Sequence, residues 1–125
     1  MYEYKAKIIN VVDGDTFDLD IDLGFHIHIH ERVRVLNLDT PEKRGTKEKE
    51  LGLIVTEFAR NRFLNQDVTI KSKEELSPKT DSFGRWLVEV ILEDNTSVTD
   101  IYNDLGVNKF NNNYSIDNVM KLKEL

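Results

Sequence analysis

The chain has 125 residues, of which 39% are hydrophobic and 32% are charged, and its formal net charge is −6. This length suits one compact domain, and we expect a single domain over residues 1–125. The absence of cysteine excludes disulfides, thiolate zinc sites and a cysteine nucleophile. No apolar run approaches the roughly 18 residues of a membrane helix, and the N-terminus enters a strand-like pattern without a signal peptide. We therefore expect a cytoplasmic protein without membrane contact, although secretion stays open for a trimmed chain.

The first third of the chain is predicted to form three strands. Residues 5–12 are strand-like, and Asp13-Gly14 follows, a dipeptide suited to the positive φ angles of a tight hairpin turn. Over residues 17–23 apolar residues alternate with aspartates, which indicates a half-buried strand. The alternation resumes over residues 25–30. Residues 33–38 are largely apolar in both phases, as in a strand that is covered on both sides.

A helix and two strands are predicted next. A charged loop over residues 43–49 leads into a helix over about residues 53–65, which is indicated by its apolar period. Its buried stripe would contain Val55, Phe58, Ala59 and Phe63. One strand begins at Val68 and another covers residues 85–92, with a polar loop over residues 74–82 between them.

Two short helices are predicted near the C-terminus, on either side of an asparagine-rich break at residues 111–113. The first would be capped by Thr96 or Ser97 and ended by Gly106. Ser115 would cap the second. Its apolar residues would be Ile116, Val119 and Met120, and those of the first Val98, Ile101, Tyr102 and Leu105. The order of elements predicts an α+β chain with a five-stranded OB-like β-barrel and two or three α-helices.

Carboxylates occur at two turns where the strand pattern does not explain them. The first turn is Asp13-Gly14-Asp15-Thr16, and the second is Asp39-Thr40-Pro41-Glu42. A hard divalent cation binds carboxylates, carbonyls and water, so Asp15, Asp39 and the Thr40 carbonyl would suit Ca²⁺ together with water and a substrate phosphate. The alternative is that each aspartate stabilises its own turn by accepting hydrogen bonds from nearby amides. Either motif taken alone favours that alternative.

Two arginines stand in apolar surroundings. Arg34 lies among the apolar residues of the third strand, and Arg85 directly precedes Trp86. An arginine is rarely buried without an acid or a bound anion, and two guanidinium groups at strand edges would clamp one phosphate. The alternative is that each arginine pairs with a neighbouring carboxylate and has no further role.

These motifs, followed by Asp81-Ser82-Phe83-Gly84-Arg85, occur in an order and spacing that resembles the staphylococcal nuclease family over roughly residues 5–110. The resemblance implies an OB-fold barrel with helices, a catalytic Ca²⁺ and hydrolysis of DNA and RNA. It implies that Asp15, Asp39 and Thr40 bind calcium. It also implies that Arg34, Glu42 and Arg85 act on the phosphate and the attacking water. All six residues are present.

The chain departs from the family's type member in its substrate-facing residues and its charge. Ser82 and Phe83 replace a lysine and a tyrosine, and asparagines at 111–113 replace tyrosines that pack on the nucleotide. An acidic chain should bind nucleic acid more weakly, with a shallower salt dependence, than a basic relative. We expect DNA or RNA as substrate and a monomeric protein. The alternatives are a non-catalytic OB-type module that binds single-stranded nucleic acid or a protein, and a structural protein that uses Ca²⁺ only for folding.

Three alternating histidines, His26, His28 and His30, are predicted to share one strand face. Alternate histidines on a strand can ligate zinc. An exposed strand face also accepts histidines readily, and no matching carboxylate stands out nearby in the sequence. The sequence therefore favours a solvated face over a zinc site.

Overall fold

Five strands close into a β-barrel in the computed structural model, which describes residues 2–45, 48–72 and 86–125. Neighbouring strands follow the order β1-β2-β3-β5-β4, and β3 pairs with β5 in parallel. The predicted five-stranded OB-fold barrel is therefore confirmed. The predicted loop at 74–82 and Arg85 lie outside the described residues. The strands are β1 Tyr2–Asp13, β2 Thr16–Asp22, β3 His28–Val35, β4 Asp67–Ser72 and β5 Trp86–Leu92.

Three α-helices accompany the barrel in the ranges just given: α1 Lys49–Phe63, α2 Val98–Leu105 and α3 Ile116–Lys121. The four predicted core residues of α1 are all buried, and Phe63 packs against Phe17 of the barrel with ring centres 5.8 Å apart. The predicted bounds of α1 were wrong, since it begins four residues earlier and ends two residues earlier. Its charged first turn carries Glu50, which favours the positive end of the helix dipole, and Asn65 ends the segment at a φ of 67°.

The caps of the two short helices are as predicted. The Ser97 hydroxyl accepts a hydrogen bond from the Asp100 amide at 2.9 Å, and Gly106 ends α2 at a φ of 71°. The Ser115 hydroxyl accepts from the Asn118 amide at 3.1 Å. An element that was not predicted lies between them, because Val107–Asn108 and Asn113–Tyr114 pair as the short strands β6 and β7. Within the described ranges, no helix has the length and apolar character needed to cross a membrane.

Two turns differ from their predictions. The β2–β3 connection holds Gly24, Phe25 and His26 at positive φ, so β3 begins at His28 and His26 does not share its face. Phe25 is 96% exposed at this hairpin tip. The β1–β2 turn forms at the predicted place, but Gly14 does not adopt a positive φ. A Cβ at Gly14 would overlap the Val55 side chain of α1, so glycine is required there by close packing.

An ion pair on the outer face of the barrel gives a pH-dependent prediction. Arg32 donates two hydrogen bonds to Asp18, at 2.8 and 3.2 Å, and these lower the pKa of that carboxyl against the opposing effect of burial. A lowered carboxyl pKa stabilises the fold above the ordinary value of about 3.9, and this stabilisation is lost as the pH falls through the lowered value.

We expect a double-mutant cycle of Asp18→Asn and Arg32→Gln to give a coupling energy of about 0.5–1 kcal/mol at pH 7 by urea unfolding, because the pair is partly solvated. The coupling should shrink as the pH is lowered from 5 towards 3. A coupling that grows under acid would contradict the assignment.

Candidate functional site

The Arg34 guanidinium lies between two carboxylates that are far apart in the sequence. Its Nη2 atom is 3.3 Å from Asp15 Oδ2 and 3.3 Å from Asp39 Oδ1, and it donates to the Leu38 carbonyl at 3.4 Å. The Arg34 side chain is 22% exposed, that of Asp15 is 6% exposed and that of Asp39 is 46% exposed. The group therefore runs from a buried carboxylate at Asp15 to an exposed one at Asp39.

Asp15 is the buried end of this group, and polar contacts compensate its burial. Its Oδ2 accepts the Thr40 amide at 3.2 Å as well as Arg34, and its Oδ1 accepts the Thr16 hydroxyl at 3.0 Å. A buried carboxylate needs such partners because its desolvation is otherwise costly. Its charge also reaches the buried Tyr102 hydroxyl, whose pKa is raised first by burial and then by Asp15.

The strand register brings Asp15 and Arg34 together. Thr16 is opposite Arg34 in the β2–β3 ladder, and the Val35 amide donates to the Asp15 carbonyl at 2.9 Å. Side chains on β3 alternate between the two faces, so buried Val33 and Val35 flank a half-buried Arg34. The chain then leaves β3 through Asn37, at a φ of 59°, and delivers Asp39 and Thr40 to the same end of the barrel.

Glu42 lies at the exposed edge of this region. The pKa of Asp13 is raised mainly by burial and then by the charges of Asp15 and Glu42, while the charge of Lys43 and a hydrogen bond from its backbone lower it. A Cβ at Gly52 would overlap the Glu42 carbonyl and the Lys43 amide. Gly52 of α1 therefore allows the segment that carries Glu42 to pack closely against the helix. This role was not predicted from the sequence, because Gly52 does not lie in a turn.

A cation and an aromatic ring adjoin Asp39 on the β6–β7 side. The Lys109 amide donates to the Asp39 carbonyl at 2.8 Å, and the Lys109 ammonium pairs with Glu48. Burial opposes the Lys109 charge, but the hydrogen bond and charge of Glu48 outweigh it, with help from Tyr114 and Asp39, so the pKa of Lys109 is raised. Phe110, 61% exposed, lines a surface cleft together with Arg34 and Asp39. Neither Lys109 nor Phe110 was predicted as a site residue.

The remaining predicted residues are placed as follows. Arg34 contacts Asp15 and Asp39, the Thr40 amide donates to Asp15, and Glu42 is exposed two residues after Thr40. Arg85 lies outside the described residues. His28 Nδ1 is 3.1 Å and His30 Nε2 is 3.7 Å from Asp20 Oδ1, on the outer face of the barrel. Across residues 2–45, 48–72 and 86–125, no group of three or more His, Asp or Glu side chains is arranged to hold a metal ion.

Comparison with known proteins identifies the family. The family model described as staphylococcal nuclease homologue matches residues 32–121, which is well over half of the chain. The chain therefore belongs to the staphylococcal nuclease family, and the resemblance predicted from its motifs is confirmed. No curated protein matches the chain. The matched range begins after the β1–β2 turn, so the contact of Asp15 with Arg34 is a finding of the structure.

The close packing of Gly52 against residues 42–43 gives a prediction about stability. Alanine at an exposed helix position usually stabilises by about 1 kcal/mol relative to glycine, but the overlap with residues 42–43 should reverse this sign for Gly52→Ala. We expect a loss of about 1–3 kcal/mol in the free energy of unfolding, measured by urea denaturation. Asn61→Ala, on the exposed side of α1, is the control and should leave stability unchanged or slightly higher. A Gly52→Ala protein as stable as the wild type would contradict this packing role.

Proposed function

We propose that this member of the staphylococcal nuclease family is a calcium-dependent nuclease that hydrolyses phosphodiester bonds in DNA or RNA. The observation that carries the proposal is the contact of the Arg34 guanidinium with Asp15 and Asp39 beside Thr40, at an open cleft. In this proposal the carboxylate oxygens would bind the cation, and the guanidinium beside them would donate to the phosphate. Because the chain belongs to the staphylococcal nuclease family, nuclease activity is the first function to test.

The donor set suits a hard cation. Asp15 and Asp39 supply carboxylate oxygens, the Thr40 carbonyl is the third proposed ligand, and Arg34 already places a positive charge between the two carboxylates. Calcium accepts six to eight oxygen ligands and tolerates water and substrate among them, so a site with few protein ligands is compatible with it. When bound, Ca²⁺ would offset negative charge on a phosphate oxygen.

The side chains around the cation would act on the phosphodiester itself. Within the described part of the chain, the polar contacts of Arg34 all come from Nη2, and we assign Nε and Nη1 as the donors to phosphate oxygens. We assign Glu42, which is exposed and follows Thr40 by two residues, to orient or deprotonate the attacking water. Arg85 is assigned as a second phosphate donor from the resemblance alone.

Phe110 offers a face for a nucleobase. Its ring is largely exposed and lines the same cleft as Arg34 and Asp39. Aromatic rings stack on bases without sequence preference, so Phe110 would supply part of the contact that the asparagines at 111–113 lack. This supports a single nucleic-acid strand as the bound form, and we propose a monomeric enzyme.

A non-catalytic module that binds single-stranded nucleic acid is the second candidate. One observation favours it: Arg34 is paired with both carboxylates, as in an ion pair whose only role is structural. The two candidates differ in chemistry, because only the enzyme breaks a phosphodiester bond.

Incubation of plasmid DNA and of single-stranded RNA with the protein separates the two candidates. We expect degradation in Ca²⁺ that stops when a chelator is added, and we expect Asp39→Asn to abolish it. Parallel reactions in Mg²⁺ and Mn²⁺ identify the metal. Retardation of either nucleic acid without cleavage in any of the three metals would refute the nuclease and favour the binding module.

A pair of arginine variants on one strand tests the role of Arg34. We expect Arg34→Gln to lower turnover by about 10²- to 10³-fold, the usual loss when a transition-state donor is removed. Arg32→Gln is the matched control, since Arg32 lies two residues earlier on β3 and pairs with Asp18 on the outer face. Far-UV circular dichroism must show both variants folded at the assay temperature. Equal turnover in the two variants would remove Arg34 from the mechanism.

A further inference from the structure

A fully buried asparagine joins the loop of Asp39 to the β6–β7 hairpin. Asn108 is 0% exposed, and its side-chain oxygen accepts hydrogen bonds from the amides of Asp39 and Phe110, both at 3.0 Å. Its side-chain nitrogen donates to the Asn37 carbonyl at 3.0 Å and to Asn103 Oδ1 at 2.8 Å. These four bonds use two acceptor and two donor sites, the full hydrogen-bonding capacity of a primary amide.

The segment that contains Asn108 binds both backbone polar groups of Asp39, its amide and its carbonyl. The Asp39 amide donates to Asn108, and the Asp39 carbonyl accepts from the Lys109 amide at 2.8 Å. The carboxylate itself is half exposed on a loop, and its contact with Arg34 requires the backbone of that loop to be held in place. We infer that Asn108 is a positioning residue, which fixes the backbone of Asp39 so that its carboxylate meets Arg34 and Asp15 at one place.

The same oxygen links two parts of the cleft. Because Asn108 Oδ1 accepts from both Asp39 and Phe110, a change at Asn108 disturbs the proposed calcium ligand and the exposed ring together. Asn103 of α2 orients the Asn108 side-chain amide, since the Asn103 side-chain oxygen accepts hydrogen bonds from Asn108 and from Asn111. The chain of contacts runs from α2 through Asn108 to Asp39.

The effect on calcium rests on the proposed function, whereas the effect on the Asp39 backbone does not. Partners that orient a metal ligand typically contribute 10- to 100-fold in affinity, so we expect Asn108→Ser to weaken Ca²⁺ binding by about that factor in calorimetry. In metal-free protein the Asp39 amide should exchange its hydrogen about fivefold faster or more, which corresponds to one lost hydrogen bond of roughly 1 kcal/mol.

Asn118→Ala is the matched control. Asn118 is a half-buried asparagine whose side chain, like that of Asn108, donates to a backbone carbonyl, that of Gly106 at 3.1 Å. Its hydrogen bonds within the described residues do not involve residues 37–39. It should lower thermal stability while it leaves Ca²⁺ affinity and Asp39 exchange within twofold of the wild type. Of the hydrogen bonds of the Asn108 side chain, Asn103→Ala removes only the one to Asn103, and it should change Ca²⁺ affinity and Asp39 exchange by intermediate amounts. If Asn108→Ser does not fold, the Asp39 exchange rate of Asn103→Ala tests the inference instead.

The outcomes separate this inference from the proposed function. Wild-type protein that binds no Ca²⁺ would refute the calcium assignment, and Asp39 exchange, measured by nuclear magnetic resonance, would then decide the role of Asn108 alone. An Asp39 amide as protected as in the wild type, in a folded Asn108→Ser or Asn103→Ala protein, overturns the inference. So does an Asn118→Ala protein that loses Ca²⁺ affinity as strongly as Asn108→Ser.

Discussion

The burial of one carboxylate, that of Asp15, constrains the whole site. A carboxylate removed from water must find donors or lose its charge, and Asp15 finds them on three separate parts of the chain: Arg34 on β3, the Thr40 amide and the neighbouring Thr16 hydroxyl. Each of these contacts requires a particular placement of backbone. The β2–β3 register, the packing of Gly14 against α1 and the course of residues 37–40 are all compatible with that one buried charge.

The same arrangement explains why an ion pair here suggests function. A buried pair is weak support for stability, because desolvation can exceed the attraction between the charges. In this chain the guanidinium contacts one buried and one exposed carboxylate, and Arg34 and Asp39 line a surface cleft, which is where the proposal puts the cation and the phosphate. Electrostatic stabilisation by groups that are already in place is usually the largest contribution to catalysis. The net charge of −6 is in accord with this view if part of the negative charge serves to bind metal.

A second layer of the site is made of neutral amides. Asn108 contacts residues about 70 positions away in the sequence, and its hydrogen bonds hold the loop that carries Asp39. Polar networks of this kind fix one arrangement when every member is satisfied, and Asn108 meets that condition. The asparagines near residue 111 were predicted only as a break between helices. In the structure, Asn111 and Asn113 contact Asn103, which supports Asn108.

Local pattern alone determined a large part of this protein. Alternation over residues 17–23 predicted β2, apolar spacing predicted the buried stripe of α1, and Ser97 with Gly106 predicted the ends of α2, because each signal depends on neighbours within a few positions. The motifs that carry Asp15, Arg34 and Asp39 also identified the family, since their order and spacing are properties of the chain. The positive φ angles of Phe25 and His26 were not predicted. That hairpin is closed by backbone hydrogen bonds between Leu23, Gly24 and Ile27, and backbone bonds do not depend on the type of side chain.

Only the tertiary structure decided which of the polar residues meet. Asp15 and Arg34 are 19 positions apart and are joined by barrel register, while Asn108 and Gly52 act on segments that sequence distance separates from them. A sequence pattern shows where a side chain is buried, but its partner is set by strand pairing and helix packing over the whole chain. For that reason the sequence alone predicted the residue types of a metal and phosphate site, and the fold supplied the contacts between them and the residues that hold them in place.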